Sequence, residues 1–356
     1  MCGIRFTGIL ADAFSGPGRY NDSLIVNIKT GVPMEDTQPA GRSLEHMPIP
    51  LFATVMGTAG LTLAWRAAEQ AWGWSAAIST TLTAVVVLLF LFLSAAYSLK
   101  FIRYREAVKA EFHHPVKMNF FPAISISLVL VAMLLQPHVT WLAGLLWLGG
   151  AALHITFTLV VMGIWIGQRP FQIAHINPAW FIPVVGNVLM PLAGVPLGFV
   201  ELSWFFFSVG VVFWLVLMTL MFYRFIFHDP LPERLLPTLA ILLAPPAVGF
   251  LAWTHLNGGE INAMGRILYY TGAFIFLLLV LRARGFGRLP FFLSWWAYSF
   301  PVAAFAIATV TMAGMVPSTF LAIAGALLVL LTTVLVIALV VMTLKAARAG
   351  KICVPE

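Results

Sequence analysis

The sequence predicts an all-α integral membrane protein of ten transmembrane helices paired as five helical hairpins, and three observations predict it. First, 61% of the residues are hydrophobic and only 9% charged, with a mean hydropathy of +0.97. Soluble domains carry roughly 25% charged residues, so lipid has to be the main solvent. Second, apolar runs follow one another closely along the chain. Third, the basic residues gather on one side of those runs. Ten spans of about 20 residues use most of the length. What remains is a polar tail over 1–46 and a short tail over 346–356, around a membrane domain at 47–345.

The spans fall at 48–67, 77–99, 116–135, 139–166, 178–198, 202–226, 235–255, 264–282, 292–313 and 317–344. Gln136-Pro137-His138, Gly198 to Glu201 and Gly314 to Pro317 are turns so short that the helices they join must be antiparallel neighbours. The tail before the first span has no run of seven apolar residues after a basic start, so no cleavable signal is expected. Its composition reads as a flexible cytoplasmic segment.

Basic residues set the orientation. Lys100, Arg103, Arg105, Lys109 and Lys117 lie between the second and third spans. Arg169 follows the fourth, and Arg224 and Arg234 flank the turn after the sixth. Arg282, Arg284 and Arg288 follow the eighth, and Lys345, Arg348 and Lys351 the tenth. Only Arg66 and Arg266 fall on the other side. With an even number of spans the four basic residues of the N-terminal tail join the majority, so 18 of the 20 Lys and Arg share one face. Adding or dropping one span scrambles this pattern. The positive-inside rule makes that face cytoplasmic, with both termini there, as in a multi-pass protein of the cell membrane. The net charge of +7 is then topology and attraction to the membrane surface, not a nucleic-acid footprint.

Odd and even spans differ. Even spans are long, dense and nearly proline-free. Odd spans carry helix breakers: Pro48 and Pro50 in the first, Pro115 and Pro122 in the third, Pro178, Pro183, Pro191 and Pro196 in the fifth, Pro237, Pro245 and Pro246 in the seventh, Pro301 in the ninth. An internal proline removes a backbone hydrogen bond and kinks the helix. The freed carbonyl is tolerated where protein or water satisfies it, not against lipid. The odd helices are therefore expected inside and pore-lining, with the even helices forming an outer ring. Five kinked inner helices either surround a passage or shape a tightly packed bundle.

No Asp or Glu lies within a span interior; the acidic residues after the tail fall in turns or at ends. Coupled carriers usually need an intramembrane carboxylate, and cation selectivity usually needs rings of them. Their absence favours uncoupled flux of an anion, drawn by cytoplasmic-mouth residues such as Lys117, Arg169 and Arg284. His154, mid-span in an even helix, is either a proton relay or a neutral histidine bonded to a neighbouring helix. Asn119 and Asn187 either line the passage or hold helices together. Cys2 and Cys353 sit at the ends with no ligand spacing, and His113-His114 lacks further ligands. No metal and no cofactor is expected. Nucleotide-binding and hydrolase motifs are missing, so the chain does not read as an enzyme.

The odd-span segments FATVMGTAGLTLAW (52–65), HPVKMNFFPAISISL (114–128), NPAWFIPVVGN (177–187) and WWAYSFPVAAFAIATV (295–310) resemble the family of plant slow-type anion channels, bacterial tellurite-resistance protein TehA and fungal malate (C4-dicarboxylate) permeases. The resemblance covers roughly 47–345. It implies ten helices as five hairpins in pseudo-fivefold order, and a homotrimer with one pore in each protomer. It also implies a pore phenylalanine on the ninth span that occludes the passage. Phe300 matches that residue, with Phe305 as the fallback. Phe52, Ala53, Gly57, Asn119, Phe120, Val184 and Asn187 become pore-lining candidates. One departure is Ala53, where the family often has glycine. The leading expectation is a passive, phenylalanine-gated anion channel or uniporter for small anions. The alternatives are an efflux carrier for an oxyanion or organic acid (tellurite, sulfite, a C4-dicarboxylate such as malate) and a membrane scaffold or sensor with a packed axis.

Overall fold

The computed structural model describes residues 43–167, 171–286 and 290–354, with the side chains of 283–286 left aside; most of the N-terminal tail, 1–42, lies outside it. The described residues are helical or in turns, without strands. The α-helices are α1 (Phe52–Trp72), α2 (Ala77–Arg103), α3 (Arg105–His113), α4 (Pro122–Leu135), α5 (Thr140–Gly167), α6 (Phe181–Val185), α7 (Pro191–Gly194), α8 (Val200–Phe227), α9 (Ala244–Leu256), α10 (Ala263–Phe286), α11 (Ser299–Met315) and α12 (Thr319–Arg348).

Among the described residues, eight helical segments are long and apolar enough to cross a membrane. The first and fifth of the ten expected spans fall short for different reasons. α1 is diluted by Gly, Thr, Arg66 and Glu69, and Pro178–Gly194 is too short. The multi-pass, all-helical class therefore stands. Where the sequence placed proline, a 3₁₀ stretch precedes the α-helix. Ile49–Leu51 leads into α1, Lys117–Phe120 into α4, Glu233–Leu243 into α9 and Leu293–Tyr298 into α11. Pro122 and Pro245 occupy the first turn of their α-helices, where the missing N–H costs no bond. The fifth segment breaks most, into Pro178–Trp180, α6, Gly186–Leu189 and α7.

Burial follows the same division. In the hydrophobic windows of α2, α5, α8, α10 and α12, 22–39% of residues are buried, against 61–78% in the third, seventh and ninth segments. Leu88, Phe92 and Leu281 stand exposed on the first group, as lipid-facing side chains do. The proline-broken segments form a closed ring: α1 packs on α4, α4 on α6 and α7, α7 on α9, α9 on α11, and α11 back on α1. Each also packs on the unbroken helix that follows it.

Three details depart from the sequence reading. The stretch between the second and third spans forms α3, and its Glu111, expected in a turn or at an end, is buried within that helix. Glu69 is buried at the end of α1, where its Oε1 accepts from the backbone N–H groups of Ile78 and Ser79 at 3.0 and 3.1 Å, capping α2. Arg66, an exception to the charge bias, donates to the carbonyls of Met133 and Leu134, both at 2.9 Å. It closes the C-terminal end of α4, so its place is set by a local bond.

Candidate functional site

A cavity of about 90 Å³ lies inside the ring. At the roughly 30 Å³ that a water takes up in the liquid it has room for about three. Every proline-broken segment contributes to its wall, and none of α2, α5, α8, α10 and α12 does. Pro50, Ala53 and Met56 come from the first, Phe120, Ala123 and Ile126 from the third. Phe181, Val185, Gly186 and Leu189 come from the fifth, and Ile241, Pro245 and Val248 from the seventh. Ser294, Trp296, Ala297, Phe300 and Pro301 come from the ninth.

The wall carries no ionisable side chain, and its polar groups are spoken for. Ser294 Oγ donates to the Arg234 carbonyl, and Trp296 Nε1 donates to Thr343 Oγ1 at 2.8 Å. Phe300 is half-buried in the first turn of α11. Its ring lies against the backbone of Gly60, where an added Cβ would come within 3.3 Å of the ring and 2.9 Å of Ala303 Cβ.

A family model described as voltage-dependent anion channel (SLAC1) matches residues 46–344. The chain belongs to this family. It is 31% identical over 313 residues to the S-type anion channel SLAH3 of Arabidopsis thaliana, covering 85% of this chain and 48% of that protein. It is 27% identical over 296 residues to the guard cell S-type anion channel SLAC1 of the same plant, covering 80% and 52%. With the tellurite resistance protein TehA homolog of Haemophilus influenzae it shares 28% over 268 residues, covering 73% and 79%. The chain spans about half the length of these plant relatives.

Of the residues singled out in the sequence, Phe300, Ala53 and Phe120 line the cavity. The other pore-lining candidates lie behind the wall. Phe52 packs edge-on against Tyr97 at 6.0 Å, and Gly57 meets Ser299 and Trp296. Asn119 donates to the Pro115 and Val116 carbonyls at 3.0 and 3.3 Å. Asn187 donates to Thr158 Oγ1 at 3.0 Å and the Val184 carbonyl at 2.7 Å, and Val184 is buried. Phe305, the fallback gate, is fixed between Tyr269 and Phe276 at 5.9 and 5.2 Å, away from the cavity. His154 meets Ser125 Oγ through Nδ1 at 2.9 Å. At the mouth, Lys117 is half-buried, while Arg169 and the side chain of Arg284 lie outside the described residues.

Two features escaped the sequence. Arg234 is exposed, and its carbonyl accepts from Oγ of the wall residue Ser294. The second is a buried cluster beneath the mouth. Glu111 Oε1 accepts from the Ile49 N–H at 2.7 Å, and its Oε2 from Tyr97 Oη at 2.9 Å and Lys100 Nζ at 2.8 Å. Lys100 Nζ also donates to the Met47 carbonyl at 2.8 Å. Ile49 precedes the wall residue Pro50, so the cluster pins the start of the first segment. Spacing of 11 residues for Lys100–Glu111 and 62 for Ile49–Glu111 hid it from any local pattern.

Proposed function

We propose that the protein is a passive anion channel or uniporter, conducting along the axis of the ring and closed here by Phe300. One observation carries this reading: all five proline-broken segments line the cavity, with no unbroken helix in its wall and no ionisable group on it. An uncharged apolar neck holds no binding site for a coupling ion. It closes by steric block and dewetting, and a side-chain rotation is enough to open it. Helix ends supply the sign. On the ten-span, five-hairpin topology, the ring segments all begin at the cytoplasmic face. Their N-termini then surround the mouth, each worth about half a positive charge. Arg234 adds to that potential. Both termini are cytoplasmic in this arrangement, and the resemblance to TehA-type proteins supports a homotrimer with one pore per protomer in the cell membrane.

The test is anion flux from loaded liposomes, with chloride and nitrate against malate, for the wild type and Phe300→Ala. Low wild-type flux that rises strongly in Phe300→Ala, indifferent to a pH gradient, is expected. Silence toward inorganic anions, with malate moving only down a proton gradient, would overturn the channel and support the alternative, an efflux carrier for an oxyanion or organic acid such as tellurite, sulfite or a C4-dicarboxylate.

A further inference from the structure

The fifth segment contributes heavily to the cavity wall and is the least able to hold its own shape. Its α-helical pieces, α6 and α7, are five and four residues long. α5 holds it at three levels. Trp147 Nε1 donates to the Met190 carbonyl at 3.0 Å. Thr158 Oγ1 bonds the Pro183 carbonyl at 2.6 Å and accepts from Asn187. Between these two levels lies His154, fully buried.

The imidazole makes one hydrogen bond and one steric contact. Ser125 Oγ donates to the Pro122 carbonyl at 2.8 Å, so its lone pair takes the proton of His154 Nδ1. Nε2 is left without a partner. That edge of the ring lies directly behind Gly186 of the wall. A Cβ on Gly186 would come 2.5 Å from His154 Cε1, 2.7 Å from Nε2 and 2.9 Å from Cδ1 of Ile126, which is itself a wall residue. Real Cβ atoms do not approach so closely, so the ring edge limits how far the wall can retreat from the axis.

We propose that His154 is a positioning residue of the pathway: held by Ser125, it acts as a strut that sets the width of the cavity through Gly186 and Ile126. This rests on the conduction reading above. A methyl on Gly186 has no room outward and drives the fifth segment toward the axis. Removing the imidazole opens the space that the methyl needs.

The test is chloride, nitrate and thiocyanate flux in liposomes, with every variant built on Phe300→Ala so that the gate does not mask the wall. Gly186→Ala is expected to cut flux about tenfold, most for the larger anions, because a narrower neck excludes size and water together. His154→Ala added to Gly186→Ala is expected to restore it. His154→Ala alone should raise thiocyanate flux relative to chloride, and His154→Gln, which refills part of the space, should bring the ratio back. That ratio is indifferent to loss of folded protein, so it remains decisive if Gly186→Ala does not fold. A double variant with flux below both single variants, or an unchanged thiocyanate-to-chloride ratio in His154→Ala, overturns the strut. If Phe300→Ala itself conducts nothing, the conduction reading falls and takes the strut with it; if Phe300→Ala conducts and rescue fails, only the strut falls.

Discussion

Glu111→Ala isolates the buried cluster beneath the mouth. The Lys100 and Glu111 side chains are 4% and 7% exposed, so neither charge is screened by water. The substitution deletes three accepted hydrogen bonds. It strands the Ile49 N–H and leaves the Lys100 ammonium with the Met47 carbonyl as its remaining hydrogen-bond acceptor in the cluster, over the Tyr97 ring at 5.3 Å. Breaking a buried pair on one side costs about 3–5 kcal/mol, mostly from the abandoned charge. Lys109–Glu106 is the internal control. It has the same chemistry at 3.1 Å, but its Glu106 side chain is 83% exposed, and such pairs contribute about 0–1 kcal/mol. Thermal unfolding in detergent reads the difference. At about 1–2 °C per kcal/mol for a chain of 356 residues, Glu111→Ala should lower Tm by about 3–10 °C, and Glu106→Ala by about 2 °C at most. Replacing the pair together by Lys100→Met and Glu111→Leu should recover most of the loss, since an apolar pair of similar volume removes the uncompensated charge. Equal shifts for Glu111→Ala and Glu106→Ala, or no recovery in the double variant, would refute the assignment.

Two further outcomes follow from the site. Trp147→Phe removes one of two donors to the buried Met190 carbonyl, which keeps the Gly194 N–H at 2.9 Å, so the loss is that of a single hydrogen bond, about 0.5–1.5 kcal/mol; chemical unfolding in micelles should show it. On the proposed topology, Arg234→Glu reverses an exposed charge at the mouth. It should lower chloride flux several-fold at low ionic strength and much less at high, because an exposed charge is screened beyond about 8–10 Å at physiological salt; flux measured across a salt series checks this.

The membrane class, the closely spaced spans and the inside position of the proline-rich segments were legible because each rests on a one-dimensional signal. A run of about 20 apolar residues has one outlet, and a proline marks a carbonyl that lipid cannot satisfy. Contacts across the chain were not legible. α3 is nine residues long, and half its sequence is charged or histidine, so nothing local distinguishes Glu111 from the solvated Glu106. Arg66 looked like an exception to the charge bias because its partners, the last carbonyls of α4, lie 67 and 68 residues away. Arg234 looked like one more cytoplasmic cation, because its bond to the wall is made by Ser294, 60 residues on.

Helical phase accounts for which of the singled-out residues line the cavity and which lie behind it. Wall residues recur every third position: Pro50, Ala53 and Met56; Phe120, Ala123 and Ile126; Ser294, Ala297 and Phe300. Three residues per turn is the period of a 3₁₀ helix, and each of these series starts in or beside a 3₁₀ stretch and runs into the first α-helical turns. An α-helical reading at 3.6 residues per turn drifts off such a row. Phe52, Gly57 and Asn119 each sit one position from a wall residue, and so do Val184 and Asn187 beside Val185 and Gly186. Those single steps turn the side chains into the packing behind the wall. The prolines therefore do two jobs with one geometry. They keep the first turns of the first, third and ninth ring segments in a row of every third residue that faces the cavity, and they hand over to an α-helix where the rows end. The last wall residues on the first, third, fifth and seventh segments are Met56, Ile126, Leu189 and Val248, and Phe300 lies at the matching end of the ninth. On the proposed reading, a phenylalanine plug in this apolar wall needs no charged latch, because its closed state is held by the cost of wetting the wall.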